Sequence, residues 1–145
     1  MTIYVDMDGT ITNLYGVENW LEYLINEDTF PYEAAEPLID MKHFSELCVQ
    51  LQNKGIKIGI ISWLSRGGSK EYNKEVRKVK KEWLARNVNI KFDEVHIVKY
   101  GTKKNYVAND KLGILFDDEI QNRENWKGNS YNEKEIFKIL EELLR

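Results

Sequence analysis

The sequence predicts a three-layer α/β fold in which helices cover both faces of a parallel sheet. Short runs of apolar and β-branched residues alternate with segments of helical periodicity along the whole chain, and this alternation is typical of a parallel sheet. Three of the predicted strands lead directly into polar side chains capable of chemistry. Because crossover connections are right-handed, the carboxyl ends of the strands should lie along one edge of the sheet.

Length and composition narrow the class of protein. A chain of 145 residues suits one domain with a single core, so we expect one domain over residues 1–145. Its net charge of −3 argues against binding nucleic acid by bulk attraction, but it is compatible with a local basic groove. We see no apolar stretch of membrane-spanning length, and the chain begins with a strand pattern instead of a signal peptide, so we expect a cytoplasmic protein.

The first predicted strand ends in a group of polar residues. Ile3-Tyr4-Val5 is followed by Asp6-Met7-Asp8-Gly9-Thr10, and the glycine indicates a turn at the carboxyl end of the strand. Ligands of open α/β sheets bind at this edge. Of two carboxylates one residue apart, one can act as nucleophile and metal ligand while the other transfers a proton. The alternative is a strand end capped by an Asx turn without a chemical role.

A helix and an irregular connector follow. Apolar residues at helical spacing predict a short amphipathic helix over about residues 17–27. Residues 28–39 contain both prolines, Pro31 and Pro37, and predict an irregular connector that could act as a lid.

The next segment predicts a helix and a second buried strand. Asp40 is placed to cap the helix, and Gly55 to close it. Cys48 lies in its apolar stripe and is interpreted as a buried structural thiol; as the only cysteine, it excludes a disulfide within the chain. The apolar run 56–61 then predicts a strand that ends at Ser62, which places a hydroxyl group at a second strand end.

A long helix is predicted from a cap at Ser69 to about Arg86. One of its faces is apolar, and the other is basic but contains Glu71, Glu75 and Glu82. This basic face could attract nucleic acid, but we interpret it as a solvated helix surface. Its basic residues are Lys70, Lys74, Arg77, Lys78, Lys80 and Lys81.

Two adjacent lysines and two adjacent aspartates mark the last third of the chain. Residues 95–98 predict a short strand, and a helical turn that begins near Gly101 carries Lys103 and Lys104. The apolar run 113–116 leads directly into Asp117-Asp118. Because adjacent carboxylates repel each other, a bound cation is favoured over a plain surface turn.

The C-terminal residues predict two more helices. The first is short and includes Trp126. The second packs on the sheet, and Asn132 and Glu135 have the spacing of a capping box at its start.

In order and spacing, these polar groups resemble the four motifs of the haloacid dehalogenase-like (HAD) hydrolase superfamily. The matching residues are Asp6-Met7-Asp8-Gly9-Thr10, Ser62 after an apolar strand, a lysine at a helix start and Asp117-Asp118. The resemblance covers about residues 2–126. It is greatest to the small 5′(3′)-deoxyribonucleotidase-like branch of bacteria and phages, which has a similar Asp-Met-Asp-Gly start and a paired Asp in the fourth motif. It implies a Rossmann-like sheet with a minimal cap, about residues 14–40, inserted after the first strand.

The resemblance implies a separate role for each motif residue. Asp6 would attack phosphorus and form an aspartyl phosphate, while Asp8 would protonate the leaving oxygen and then activate water. Mg²⁺ would be held by Asp6, the Asp8 backbone carbonyl and Asp117, and Asp118 would act mainly by holding these ligands in place. Ser62 would hydrogen-bond a phosphoryl oxygen, and the lysine would neutralise the developing charge. The implied phosphate-binding residues are Asp8, Gly9, Thr10, Ser62, Trp63 and Lys104.

The sequence allows two interpretations of the motif lysine, of Arg66 and of three aromatic residues. Lys103 and Lys104 point about 100° apart on a helix, and a Gly-Thr-x-Lys pattern in related chains favours Lys104. Arg66 could reach a substrate or belong to a flexible surface loop. The aromatic residues Tyr15, Trp20 and Trp63 could stack on a base or could belong to the core.

The residues and the resemblance lead us to expect a Mg²⁺-dependent phosphomonoester hydrolase. Asp8 favours phosphoryl chemistry, because dehalogenases of this superfamily lack an acid at that position. A small cap leaves an open site, which suits a nucleoside 5′-monophosphate or a similar small phosphomonoester. The expected partner is therefore a small phosphorylated substrate, with nucleic acid only as substrate and no membrane. The alternatives are a polynucleotide-end phosphatase, suggested by the basic helix face, and a non-catalytic phosphate-binding module.

Overall fold

A five-stranded sheet forms the middle layer in the computed structural model, which describes all 145 residues. The strand order is β3-β2-β1-β4-β5, and each neighbouring pair is parallel. This arrangement confirms the predicted α/β fold class. The strands are β1 (Thr2–Val5), β2 (Lys57–Trp63), β3 (Glu94–Val98), β4 (Ile114–Phe116) and β5 (Ser130–Tyr131).

Helices pack against both faces of the sheet. Side chains of α3, α4 and α7 share one apolar cluster with β1, β2 and β4, whereas residues at the ends of α5 and α6 pack on the opposite face. The helices are α1 (Trp20–Ile25), α2 (Phe30–Ala34), α3 (Met41–Asn53), α4 (Lys70–Asn87), α5 (Lys104–Val107), α6 (Ile120–Asn125) and α7 (Ile136–Leu143).

The core lies on both sides of β1 because successive side chains of a strand point to opposite faces. Ile3 and Val5 belong to the main cluster of 18 buried residues. Tyr4 points the other way and packs edge to face against Trp126, with 5.6 Å between the ring centroids. Burial of both faces explains why the strand residues read as continuous apolar runs in the sequence.

The strand order reverses at β1 and β4. The chain runs from β1 through α3 to β2 and through α4 to β3, then crosses back through α5 to β4 on the other side of β1. Val5 pairs with Ile60 of β2 and with Phe116 of β4. Residues that follow Val5 and Phe116 therefore lie side by side at the topological switch point, where a crevice forms in such sheets.

The predicted helix caps are present. The Asp40 side chain accepts a hydrogen bond from the backbone N–H of His43, and the Ser69 hydroxyl accepts one from the N–H of Tyr72. Gly55 follows α3 with a φ of +87°, a conformation that glycine adopts without strain. The capping box of Asn132 and Glu135 is also formed, at a 3₁₀ turn that leads into α7.

The segment between β1 and α3 differs from the sequence prediction. Helix α1 is shorter than the predicted 17–27, because Asn19 and Glu27 adopt left-handed backbone conformations with φ of 61° and 55°. The connector 28–39, predicted as irregular, contains α2. Pro31 lies in the first turn of α2, where a missing N–H costs no helical hydrogen bond.

Three other boundaries also differ. β2 continues through Trp63, so Ser62 lies inside the strand, paired with Ile97, and not at its end. Trp126 follows α6 and is not part of it. The two-residue strand β5 was not predicted, because two residues are too few to show an alternating pattern. None of the helices has the length and apolar character that a membrane crossing requires.

Replacing Phe44 tests the packing of α3 on the sheet. Phe44 is completely buried in the main cluster. Phe44→Ala should lower the free energy of unfolding by about 3–5 kcal/mol, because it removes apolar contacts and leaves a cavity. Urea unfolding measures the loss, with Val49→Ala on the exposed side of the same helix as control. Equal losses in the two variants would contradict the packing described.

Candidate active site

The loop after β1 presents two carboxylates because the residue between them is anchored in the core. The Met7 side chain is buried in the main cluster, and the Met7 carbonyl accepts hydrogen bonds from the backbone N–H groups of Thr10, Ile11 and Thr12. This tight turn leaves Asp6 and Asp8 on the wall of a pocket above the sheet edge. The Asp-x-Asp spacing thus follows from anchoring every second residue.

Three carboxylates meet at the switch point between β1 and β4. Oxygen atoms of Asp6, Asp117 and Asp118 all lie within 4.8 Å of one another. The Lys104 ammonium lies between two of them, with Nζ 2.9 Å from Asp6 Oδ1 and 2.6 Å from Asp117 Oδ2. On the other side, the buried Thr10 hydroxyl lies 3.0 Å from Asp6 Oδ2 and 3.2 Å from Asp118 Oδ1.

The acidic groups of this cluster are crowded. Burial and the charge of Asp6 raise the pKa of Asp117, and the same two causes raise the pKa of Asp118. Burial alone would lower the pKa of Lys104, but the carboxylates of Asp6 and Asp117 outweigh it and raise this pKa to about 12. The three carboxylates repel one another when ionised, and a divalent cation would relieve the repulsion that Lys104 does not offset.

Asp117 is oriented by residues that the sequence did not single out. The backbone N–H of Glu119 donates to Asp117 Oδ1, and the Asn122 side-chain amide donates to Oδ2 at 3.1 Å. Asn122 also lies on the pocket wall. Because Asn122 lies in the first turn of α6 and has no motif around it, only the three-dimensional structure reveals its position beside Asp117.

A second lysine neutralises Asp8, and its assignment to the solvated face of α4 was wrong. Lys80 is only 1% exposed. Its Nζ lies 2.7 Å from Asp8 Oδ2, 2.9 Å from Ser62 Oγ and 2.6 Å from the carbonyl oxygen of Trp63. Lys80 follows the buried Val76 and Val79 at helical spacing. That spacing was the one sequence signal that it points inward.

The structure brings the predicted site residues together, but it places them at different depths. Asp6, Asp8 and Trp63 line the pocket, whereas Ser62 is completely buried beside Lys80. Of the two adjacent lysines, Lys104 contacts the carboxylate cluster, and the Lys103 ammonium lies over the ring of Tyr106. The Thr10 hydroxyl contacts Asp6 and Asp118, and Gly9 lies close to Asp118. Contact of Thr10 and Gly9 with phosphate stays a prediction.

The pocket has a volume of about 500 Å³ and lies between the sheet edge and the cap segment, residues 14–40. Its upper wall is apolar and comes from Trp20, Leu21, Leu24 and Ile25 of α1. Leu21 and Ile25 are 53% and 71% exposed and line the pocket, whereas Leu24 also packs against a cluster of buried residues that includes Leu14 and Tyr32. Volume and lining match sites for small organic ligands.

Aromatic rings and one arginine complete the pocket. Tyr15 packs against Trp20 with 4.9 Å between ring centroids, and Trp63 packs against Tyr100 at 4.8 Å. Arg66 lies over the Tyr100 ring. These aromatic side chains therefore line the pocket as two contacting pairs. Their stacking on a base stays a prediction.

The cap segment is fastened to the start of α4. The Glu27 carboxylate accepts hydrogen bonds from the Ser69 backbone N–H at 2.7 Å and from the Ser69 hydroxyl at 2.8 Å. The Tyr72 hydroxyl donates to the carbonyl oxygen of Asp28. Three hydrogen bonds thus hold the far end of α1 over the pocket.

Solved structures of similar fold exist. No family model matches the sequence, and no curated protein matches it. One such structure is D,D-heptose 1,7-bisphosphate phosphatase from Burkholderia thailandensis, with a TM-score of 0.51 and 13% identity over 85% of this chain and 69% of that chain. At this identity the likeness shows a shared fold, and it agrees with the parallel α/β sheet described above.

The carboxylate cluster has the chemistry of a magnesium site. Hard cations such as Mg²⁺ prefer oxygen ligands, and Asp6, Asp117 and Asp118 offer three carboxylate oxygens within 4.8 Å of one another. The Asp8 side chain does not join this cluster, because it pairs with Lys80 and accepts a hydrogen bond from the Thr12 hydroxyl. The residues present therefore fit a divalent cation.

Gly9 offers a test of this cluster. Gly9 has a φ of +82°, and a Cβ there would lie 2.3 Å from Asp118 Oδ2. Gly9→Ala should therefore displace Asp118 and weaken Mn²⁺ binding by roughly tenfold or more, as measured by calorimetry. Gly67→Ala is the matched control, because its φ is +68° but no atom lies within 4 Å of the added Cβ. Equal affinities in the two variants would contradict the arrangement.

Proposed function

We propose that this protein is a Mg²⁺-dependent phosphomonoester hydrolase that acts through an aspartyl phosphate on Asp6. The observation that carries the proposal is the pair of carboxylates on the pocket wall, with Asp6 between Lys104 and Thr10. Asp6 has a side chain 10% exposed, so one edge stays open to a substrate. The HAD-like fold shared with a phosphatase supports the same chemistry.

The proposed reaction has two steps. In the first, an Asp6 oxygen forms a bond to phosphorus, the bond from phosphorus to the leaving oxygen breaks, and Asp8 gives that oxygen a proton. In the second, Asp8 takes a proton from water, and this water attacks phosphorus and releases Asp6 and inorganic phosphate. Lys104 holds Asp6 and stabilises the negative charge that develops on the phosphoryl group.

Mg²⁺ would be held by Asp6 and Asp117, with the Asp8 backbone carbonyl, and Asp118 would support the site through Thr10. When bound, the cation supplies positive charge to a dianionic phosphate that would otherwise meet several carboxylates. Asn122 and the Glu119 N–H fix the orientation of Asp117.

The pocket favours a substrate with an aromatic or apolar leaving group. Four side chains of α1 form an apolar wall above Asp6 and Asp8. A nucleoside fits both the aromatic lining and the volume of about 500 Å³. A nucleoside 5′-monophosphate is therefore the proposed substrate class.

The two alternative functions have less support. A polynucleotide-end phosphatase was suggested by the basic face of α4, but Lys80 is buried in the site and Glu71 and Glu75 remain exposed on this helix. Comparing a mononucleotide with a phosphorylated oligonucleotide at several salt concentrations separates these activities. A non-catalytic module would bind beryllofluoride without any turnover.

Separate substitutions of Asp6 and Asp8 should distinguish formation of the phosphoenzyme from its hydrolysis. Asp6→Asn should reduce turnover of 4-nitrophenyl phosphate with Mg²⁺ by about 10⁴-fold or more, because the nucleophile is lost. Asp8→Asn should instead accumulate phosphoenzyme, detected by intact-protein mass spectrometry, because water is no longer activated. Glu142→Gln on the exposed side of α7 is the control. A wild-type protein inactive toward all phosphomonoesters tested would refute the proposal.

A polar substitution on α1 should change substrate preference. Leu21→Ser should lower kcat/KM for a nucleoside 5′-monophosphate by roughly tenfold, because it removes apolar contact with the leaving group. Activity toward glycerol phosphate should not change. The control is Glu22→Ser, which alters the neighbouring exposed residue outside the pocket. Equal effects on both substrates would show that α1 does not contact the leaving group.

A further inference from the structure

Lys80 reaches the site from α4, on the opposite side from Lys104. It crosses from the helix to the carboxyl end of β2 and is almost completely buried. Its ammonium also lies 5.1 Å from the centre of the Tyr32 ring, which comes from α2 in the cap segment. Lys80 therefore touches the cap segment, the sheet and the loop after β1 at once.

All three N–H groups of Lys80 have acceptors. They are Asp8 Oδ2, Ser62 Oγ and the Trp63 carbonyl oxygen, at 2.7, 2.9 and 2.6 Å. An ammonium group has three donors and no acceptor. Lys80 therefore has no N–H left for a phosphoryl oxygen, and it differs in this respect from a lysine that binds substrate.

These contacts fix the Asp8 side chain. Lys80 holds Oδ2, and the Thr12 hydroxyl donates to Oδ1 at 3.2 Å. With both oxygens held, Asp8 stays outside the cluster of Asp6, Asp117 and Asp118. A carboxyl group that must pass a proton to a leaving oxygen needs this fixed direction, because misplacement of a reacting group is costly in rate.

We propose that Lys80 is a positioning residue, which holds the Asp8 carboxyl group in the direction needed to protonate the leaving oxygen. This inference rests on the proposed phosphatase function. It adds a second lysine with a task separate from that of Lys104. Lys104 serves the attacking group, and Lys80 serves the group that handles the proton.

The dependence of rate on the leaving group tests this role. Lys80→Met keeps the length of the side chain and removes its donors. For phenyl phosphate, whose leaving oxygen needs a proton, kcat/KM should fall roughly 100-fold. For 4-nitrophenyl phosphate, whose leaving group departs without a proton, it should fall less than about fivefold. Because kcat/KM covers only the steps up to release of the leaving group, the later activation of water does not affect the comparison.

Two further variants complete the design. Lys81→Met replaces the neighbouring, exposed lysine and should leave both rates unchanged. Asp8→Asn/Lys80→Met should be no more than about threefold slower toward phenyl phosphate than Asp8→Asn, because residues that act as a unit are not additive. This double variant also removes both partners of the ion pair, so it avoids an unpaired buried charge if Lys80→Met folds poorly.

The outcomes separate this inference from the function on which it rests. A selective loss on phenyl phosphate, absent in the Asp8→Asn background, supports the positioning role. Equal losses on both substrates, or full additivity with Asp8→Asn, would overturn it while the wild-type activity leaves the phosphatase proposal standing. A wild-type protein inactive toward both esters would overturn the two proposals together.

Discussion

Lys104 joins the ends of β1 and β4, since its ammonium contacts both Asp6 and Asp117 at the point where the strand order reverses. Buried carboxylates are tolerated only when they are paired or bound to a cation. The ion pair therefore allows the sheet to end in acidic residues on two adjacent strands. Thr10, Asn122 and the backbone around Asp117 complete the hydrogen bonds of this cluster.

Two buried lysines divide the site into two halves. Lys104 belongs to the half that contains Asp6 and the candidate cation ligands, and Lys80 belongs to the half that contains Asp8 and Ser62. Asp6 and Asp8 are two residues apart in sequence, yet each pairs with a different lysine and a different hydroxyl group. Asp6 contacts Lys104 and Thr10, and Asp8 contacts Lys80 and Thr12. This separation gives the two carboxylates different surroundings, which is a physical basis for different chemical roles.

The cap segment contributes mostly apolar and aromatic surface to the pocket, and its one charged lining residue, Glu27, is hydrogen-bonded to Ser69. Helix α1 has no buried residue, and its apolar side chains face the pocket. Hydrogen bonds from Ser69 to Glu27 hold the helix against the start of α4. An apolar wall above a charged floor suits a ligand with a phosphate at one end and an apolar or aromatic group at the other. The apolar face of α1 thus lines the pocket and also packs, through Leu24, on the smaller buried cluster.

The sequence by itself determined the fold class and the position of Asp6, Asp8 and Asp117, because doubly buried strands leave continuous apolar runs and their carboxyl ends share one edge. Only the tertiary structure showed that Lys104, and not Lys103, contacts the carboxylates, and that Ser62 lies inside β2. It also showed that Lys80 is buried and does not belong to the solvated face of α4. Local periodicity places a side chain on a face of its own helix. Whether a lysine at the edge of that face finds carboxylates or water depends on residues far away in the chain, here Asp8, 72 positions before Lys80.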